Sequence, residues 1–181
     1  HFTLLSIDIE CSEQGELFSI GLASDTYKCV LMIGKSEAAE DWVVWVDNEK
    51  TLLRQFVIQV NRFDPDIIIG WNVVNFDFRL LIKRAALHRV ELSLGRDNQA
   101  ISWRDARNEV NQGFVSMPGR VVVDGIDALK TATYHFDSFS LENVAQTLLG
   151  KGKKNEKVED VIAHIESDSK PKTANVTHTT L

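Results

Sequence analysis

The sequence predicts an α/β domain built on a mixed central sheet with flanking helices. Two observations carry that expectation. Strand-like stretches come first, and helical stretches then alternate with single strands, the order expected of such a sheet. The 181 residues, 44% hydrophobic and 25% charged, have the size and balance of one globular domain with a real core.

Phe2 to Glu10 reads as a strand apolar on both faces, as in a sheet covered by helices. Gly15 marks a turn, and Glu16 to Ala23 (ELFSIGLA) reads as the antiparallel neighbour. Lys28 to Ile33 (KCVLMI) is the third strand of the expected meander, and Trp42 to Val46 (WVVWV) a short fourth. From Glu49 the apolar residues Leu52, Leu53, Phe56, Val57, Val60 and Phe63 form one helical stripe, with Asn48 or Asp47 as cap. Phe63-Asp64-Pro65-Asp66 stops that helix, and Ile67 to Ile69 follows as a buried strand.

A second helix is expected from about Asn75 to His88, with Leu80, Leu81, Ala85 and Leu87 among its apolar positions. Residues 95–119 are polar, broken by Gly95, Gly113 and Gly119, and read as an insertion with a strand pair at Ile101–Arg104 and Gly113–Met117. Val121 to Val123 is a further buried strand, followed by short helices near 125–133 and 140–149. Lys151 to Lys157 (KGKKNEK) reads as a solvated linker, and Val158, Val161, Ile162 and Ile165 fall at helical spacing. The domain is expected to span 1–166, and residues 167–181 to form a frayed polar tail.

Composition narrows the function. No apolar run approaches the roughly 18 residues of a membrane span. Cys11 and Cys29 give neither a disulfide framework nor a zinc spacing, which makes a reducing cytoplasm the expected location. The chain opens on His1 with no cleavable signal pattern, and reads as an excised or processed piece. A net charge of −6 has the wrong sign for gripping nucleic acid by phosphate neutralisation alone. Metal ions can supply the missing positive charge, so the partner stays open on charge alone.

Two stretches carry chemistry. In SIDIECS, residues 6–12, Asp8 and Glu10 lie two apart on a strand and so share a face. Two carboxylates placed together repel, and burial sharpens the cost. A cation would resolve it; a lysine partner for one and water for the other is the alternative. The second stretch, Gly70-Trp71-Asn72-Val73-Val74-Asn75-Phe76-Asp77, joins the carboxyl end of a strand to a helix, where open α/β sheets place their sites. Asp77 would fall in the first helical turn, as a capping carboxylate or a site residue. Phe76 and Trp71 each read as core or as a stacking surface, Trp71 leaning to core. Asp124 and Asp127 read as helix-start residues.

In combination, D-x-E on the first strand and N-x-x-x-F-D after a later one resemble the first two motifs of the proofreading 3′→5′ exonucleases of family B DNA polymerases. FDPDIIIGWNVVNFD, LGRDN, GRVVVDGIDALK and SFSLENVAQTLLG extend the similarity over roughly residues 2–171. The resemblance implies a ribonuclease-H-like fold and hydrolysis of phosphodiesters at single-stranded 3′ ends of DNA. It implies two divalent cations, Mg²⁺ or Mn²⁺, with Asp8, Glu10 and Asp77 as ligands and catalytic carboxylates. Two ions ~3.5–4 Å apart would activate water and stabilise the departing 3′-oxyanion, and oxygen ligands suit such ions. The three carboxylate carbons should then lie within about 8 Å. Asn72, Phe76, Ser140 and Leu141 match positions that contact the single strand. The remainder of a polymerase chain is the implied partner, and no membrane is.

The family's third motif, Tyr-x-x-x-Asp, is missing. No tyrosine follows Tyr134 and no Asp follows Asp168. Cys11 also stands where many members carry threonine, whose hydroxyl is lost unless Ser12 substitutes. Two readings remain: an exonuclease domain cut before its last motif and poorly active as it stands, or a non-catalytic nuclease-like module that binds single strands or a partner. Asp124 is the first candidate to replace the fourth carboxylate.

Overall fold

The computed structural model describes residues 1–36 and 40–126. Eight strands are described: β1 (Leu4–Cys11), β2 (Leu17–Ala23), β3 (Lys28–Ile33), β4 (Val43–Val46), β5 (Ile67–Gly70), β6 (Ser102–Asp105), β7 (Gly113–Ser116) and β8 (Val121–Asp124). Helix α1 spans Glu49–Phe63, and a π-helical turn, Val73–Phe78, leads into α2, Arg79–His88. Six strands form one sheet in the order β4-β3-β2-β1-β5-β8. The expected meander is present: β1, β2 and β3 pair antiparallel. β5 and β8 then run parallel to β1, and β4 runs parallel to β3. The mixed α/β sheet with flanking helices has the ribonuclease-H-like character that was expected.

Alternation along β1 sorts its residues. Leu5, Ile7, Ile9 and Cys11 are buried, whereas Ser6, Asp8 and Glu10 on the other face are half-buried. Strand β1 is therefore not apolar on both faces, and Phe2, outside the strand, is 76% exposed. Helix α1 covers the apolar face with Leu52, Leu53, Phe56 and Val60, all fully buried. Asn48 caps it, its Oδ1 accepting the Thr51 N–H at 2.9 Å. Asp64 closes it in the left-handed conformation and returns its N–H to the Val60 carbonyl, and Pro65 bars continuation.

Three expectations change. β8 was expected buried, yet Val121 is exposed and Val122 and Val123 are half-buried. Among the described residues β8 pairs with β5 alone, so its three valines serve an edge. β5 buries Ile68 and Gly70 while Ile67 and Ile69 are half-buried. In α2 the buried positions are Leu81 and Ala85, and Leu87 is exposed. At about 3.6 residues per turn, Leu87 sits two-thirds of a turn away from Leu81. The expected strand pair in the insertion is the separate β6–β7 hairpin. The helices expected near 125–133 and 140–149, the linker, the 158–165 helix, the tail and the 1–166 boundary lie outside the described residues.

Two ionic clusters, each built on one buried side chain, fasten these layers. Glu49, in the first turn of α1, accepts the Leu17 N–H at 3.0 Å and pairs with Arg84 and His88 of α2. Burial pushes its carboxyl up, but the Arg84, His88 and Leu17 hydrogen bonds outweigh that and hold it below the usual range. Arg120, its side chain 1% exposed, donates to Asp64 and to the carbonyls of Pro65 and Leu94. Arg96 bridges Asp64 and Asp66, and Asp66 also accepts the amide and hydroxyl of Thr3.

Glu49→Ala should destabilise the fold by about 2–3 kcal/mol in denaturant titration, because it leaves the half-buried Arg84 and the Leu17 N–H without their carboxylate. A second expectation concerns acid. The Thr3 amide, Arg96 and the Thr3 hydroxyl lower the Asp66 pKa from 3.8 to about 2. Its contribution to stability is therefore complete above the ordinary carboxylate value and lost as pH falls through about 2. Asp66→Asn should flatten the acid limb of the stability profile in that window.

Candidate active site

Asp8 faces Gly21 of β2 and Glu10 faces Ser19. Immediately after Glu10 the register shifts, so that Cys11 faces Leu17 and Phe18 is the extra residue. Such a bulge re-aims neighbouring side chains and is common beside active sites. Both carboxylates lie on the half-buried face near the carboxyl end of β1. The Ser12 hydroxyl accepts the Glu16 N–H at 3.1 Å. It serves the β1–β2 turn.

The second stretch leaves β5 at Gly70. A Cβ there would stand 2.9 Å from Val73 Cβ and 3.0 Å from the Ile7 carbonyl oxygen, so glycine lets the chain fold back against β1. Asn72 follows in the left-handed conformation, φ 55° and ψ 34°, which asparagine tolerates better than most residues. Its carbonyl accepts the Phe76 N–H at 3.1 Å. The turn that follows is π-helical, a rare form found disproportionately at functional sites.

This turn distributes the expected site residues. Asn72 is exposed, Phe76 is half-buried against the core, and Asp77 is fully buried. The turn packs against both β1 and β8, so the element bearing Asp77 touches the strand bearing Asp8 and Glu10. Among the described residues, however, no three His, Cys, Asp or Glu side chains stand close enough together to hold a metal ion. The carboxylates suit a hard divalent cation in kind, and they are not gathered as a three-donor set. Ser140 and Leu141 lie outside the described residues, as does Asp127.

Sequence reasoning missed two connections. Asp124 ends β8 opposite Gly70 and is buried. Its Oδ1 accepts the N–H of Asn72 at 3.2 Å and of Ile126 at 2.9 Å, and its Oδ2 that of Val74 at 3.4 Å. The helix-start reading captured Ile126 but not the reach across to the β5 turn, 52 residues earlier in the chain. The β6–β7 hairpin is likewise tied to the site. Asn75 Oδ1 accepts the Gly113 N–H at 2.9 Å, and Arg79 donates to the carbonyl and Oδ1 of Asn111. Asparagine inside a helical stretch was the available signal for the first tie; nothing local marked the second.

Comparison with known proteins bears on this site. The sequence matches the family described as DNA polymerase family B, exonuclease domain, over residues 1–144. It is 43% identical over 153 residues to the DNA polymerase II of Escherichia coli (strain K12), covering 82% of this chain and 20% of that protein. It is 31% identical over 182 residues to a DNA polymerase of Thermococcus litoralis, covering 93% of this chain and 10% of that one. It is 28% identical over 173 residues to the DNA polymerase 1 of Pyrococcus abyssi, covering 90% and 20%. The chain thus spans a fifth or less of the length of these relatives.

The tight turn yields a direct test. Gly70→Ala should cost about 1–3 kcal/mol, the usual penalty for overpacking, in equilibrium unfolding. The backbone signals most displaced in NMR spectra should be those of residues 70–78 and of Ile7. Wild-type stability for the variant would mean that the approach of β5 to β1 is looser than described.

Proposed function

This chain belongs to the exonuclease domains of family B DNA polymerases, and on that basis we propose that it is the proofreading 3′→5′ exonuclease domain of a DNA polymerase II-like enzyme. The observation that carries the proposal is the D-x-E strand end lying against the turn that bears Asn72, Phe76 and Asp77. Relatives named as DNA polymerases support it. The substrate in this reading is the single-stranded 3′ end of DNA, the partner is the remainder of a polymerase chain, and the location is cytoplasmic. Among the described residues no helix is long and apolar enough to cross a membrane.

Each residue has a role in that reaction. Asp8, Glu10 and Asp77 would hold two divalent cations, Mg²⁺ or Mn²⁺. When bound, the ions lower the pKa of the attacking water and neutralise charge on the phosphate. Asn72, exposed at the head of the turn, meets the sugar-phosphate of the last nucleotide. Phe76 offers its ring to a terminal base, and stacking of this kind is indifferent to sequence. Ser140 and Leu141 complete the strand contact. The attack is in line and expels the 3′-oxygen of the preceding nucleotide, releasing a nucleoside monophosphate.

A second reading, a nuclease-like module that binds without cutting, is favoured by one observation. Among the described residues, Asp8, Glu10 and Asp77 are not gathered as a three-donor set for a metal ion. Members of a catalytic unit act non-additively, and losing one typically costs two or more orders of magnitude.

Mononucleotide release from a 3′-labelled strand decides between the readings. The 181-residue chain should turn over with Mg²⁺ at least ~100-fold more slowly than a longer chain that includes a Tyr-x-x-x-Asp segment. Asp8→Ala in the longer chain should abolish release. A longer chain that binds the strand and never cuts it would favour the binding module. Single-strand affinity of the 181-residue chain should also fall in the Phe76→Ala, Leu141→Ala double variant. Unchanged affinity would remove those residues from the strand site.

A further inference from the structure

We propose that Asp124 is a positioning residue: its carboxylate joins the end of β8 to the β5 turn and fixes the backbone from which Asn72, Phe76 and Asp77 project. The inference rests on the exonuclease reading for its functional consequence, and on hydrogen-bond geometry for the rest.

Three amides converge on this side chain. Asn72 and Ile126 share Oδ1, at 3.2 and 2.9 Å, and Val74 reaches Oδ2 at 3.4 Å. Two of them flank Val73, the residue whose side chain abuts Gly70. The first belongs to the left-handed residue that turns the chain out of the sheet. With the Asn72 amide held by Asp124 and the Asn72 carbonyl held by the Phe76 amide, both sides of that residue are fixed. The conformation and the wide turn behind it are therefore set by β8, not by the local sequence alone. On the β8 side, Gly125 admits the ring of Trp71, whose Cε3 would lie 3.0 Å from a Cβ at that position. Carboxylate and ring thus lock the ends of two parallel strands together.

This placement argues against Asp124 as the substitute for a missing catalytic carboxylate. A carboxylate that accepts three backbone N–H groups is held in one orientation. Asparagine cannot reproduce it. With its oxygen between Asn72 and Ile126, its NH₂ would face the Val74 N–H, donor against donor.

Residue-resolved amide hydrogen exchange on the 181-residue chain tests the proposal. In Asp124→Asn the Val74 amide should exchange about tenfold faster, the scale of one lost hydrogen bond. The Asn72 and Ile126 amides should stay slow. In Asp124→Ala all three should accelerate, while amides of the β2–β3 pair keep wild-type rates. Titration with a fluorescent single-stranded deoxyoligonucleotide supplies the functional arm. Asp124→Asn should weaken binding about tenfold with the exchange rates of the β2–β3 amides unchanged. Unaltered exchange at Val74 in Asp124→Asn would overturn the proposal, as would accelerated exchange with undiminished oligonucleotide affinity. Should the wild-type chain bind no oligonucleotide, the exonuclease reading fails, and the exchange pattern alone then upholds or overturns the fixing of the turn by Asp124.

Discussion

The site depends on how closely three parallel strands can bring their carboxyl ends together. β1, β5 and β8 run side by side, and the chain leaves each of them at the same edge of the sheet. Backbone must there approach backbone with almost nothing between. Gly70 meets Val73 and the Ile7 carbonyl, and Gly125 meets the Trp71 ring. A side chain at Gly70 would push the turn away from β1, and one at Gly125 would displace the Trp71 ring. The exposed Asn72 and the buried Asp77 are placed by that proximity, because the segment between them has no long loop in which to adjust.

Charge buried elsewhere holds this edge in register with the rest of the fold. Glu49 ties the start of α1 to β2 and to the end of α2. Arg120 and Arg96 gather the α1–β5 turn, the first residues of the chain and the segment leading to β8 around Asp64 and Asp66. Ionic groups of this kind add little net stability over an apolar core, yet removing one partner is costly. Their contribution here is to fix which elements meet. β8 begins one residue after Arg120 and ends at Asp124, so the basic anchor sets the height at which the carboxylate reaches Asn72.

Much of this was legible in the sequence where a local rule coincided with the tertiary outcome. The meander followed from alternation, and α1 from an apolar stripe at helical spacing with Asn48 before it. The β6–β7 pair showed through its glycines. The misreadings share a cause. Three consecutive valines state a preference for extended backbone and say nothing of what lies beside them, so β8 was read as buried although Val121 is open. Leu87 was counted among the apolar positions of α2 from its chemistry without its angle, and it is exposed. Among the candidate site residues, D-x-E and N-x-x-x-F-D are what singled out Asp8, Glu10, Asn72, Phe76 and Asp77 as candidates. The burial of Asp77 and the π-form of its turn depend on contacts with β1 and β8, which no window of sequence contains. The bond from Asp124 to Asn72 spans 52 residues and leaves no periodic trace.

The π-helical form of Val73–Phe78 makes the direction of the Asp77 side chain a matter of residue count. A π-turn holds one residue more than the α-helical turn it resembles. Deleting a single residue there would let the segment relax into an uninterrupted α-helix continuous with α2. Each residue advances an α-helix by about a quarter of a turn, so the carboxylate would swing toward a different neighbour while the composition stayed almost the same. The segment should therefore tolerate exchanges of side chain more readily than changes of length. Within this stretch, insertion and deletion are the drastic mutations.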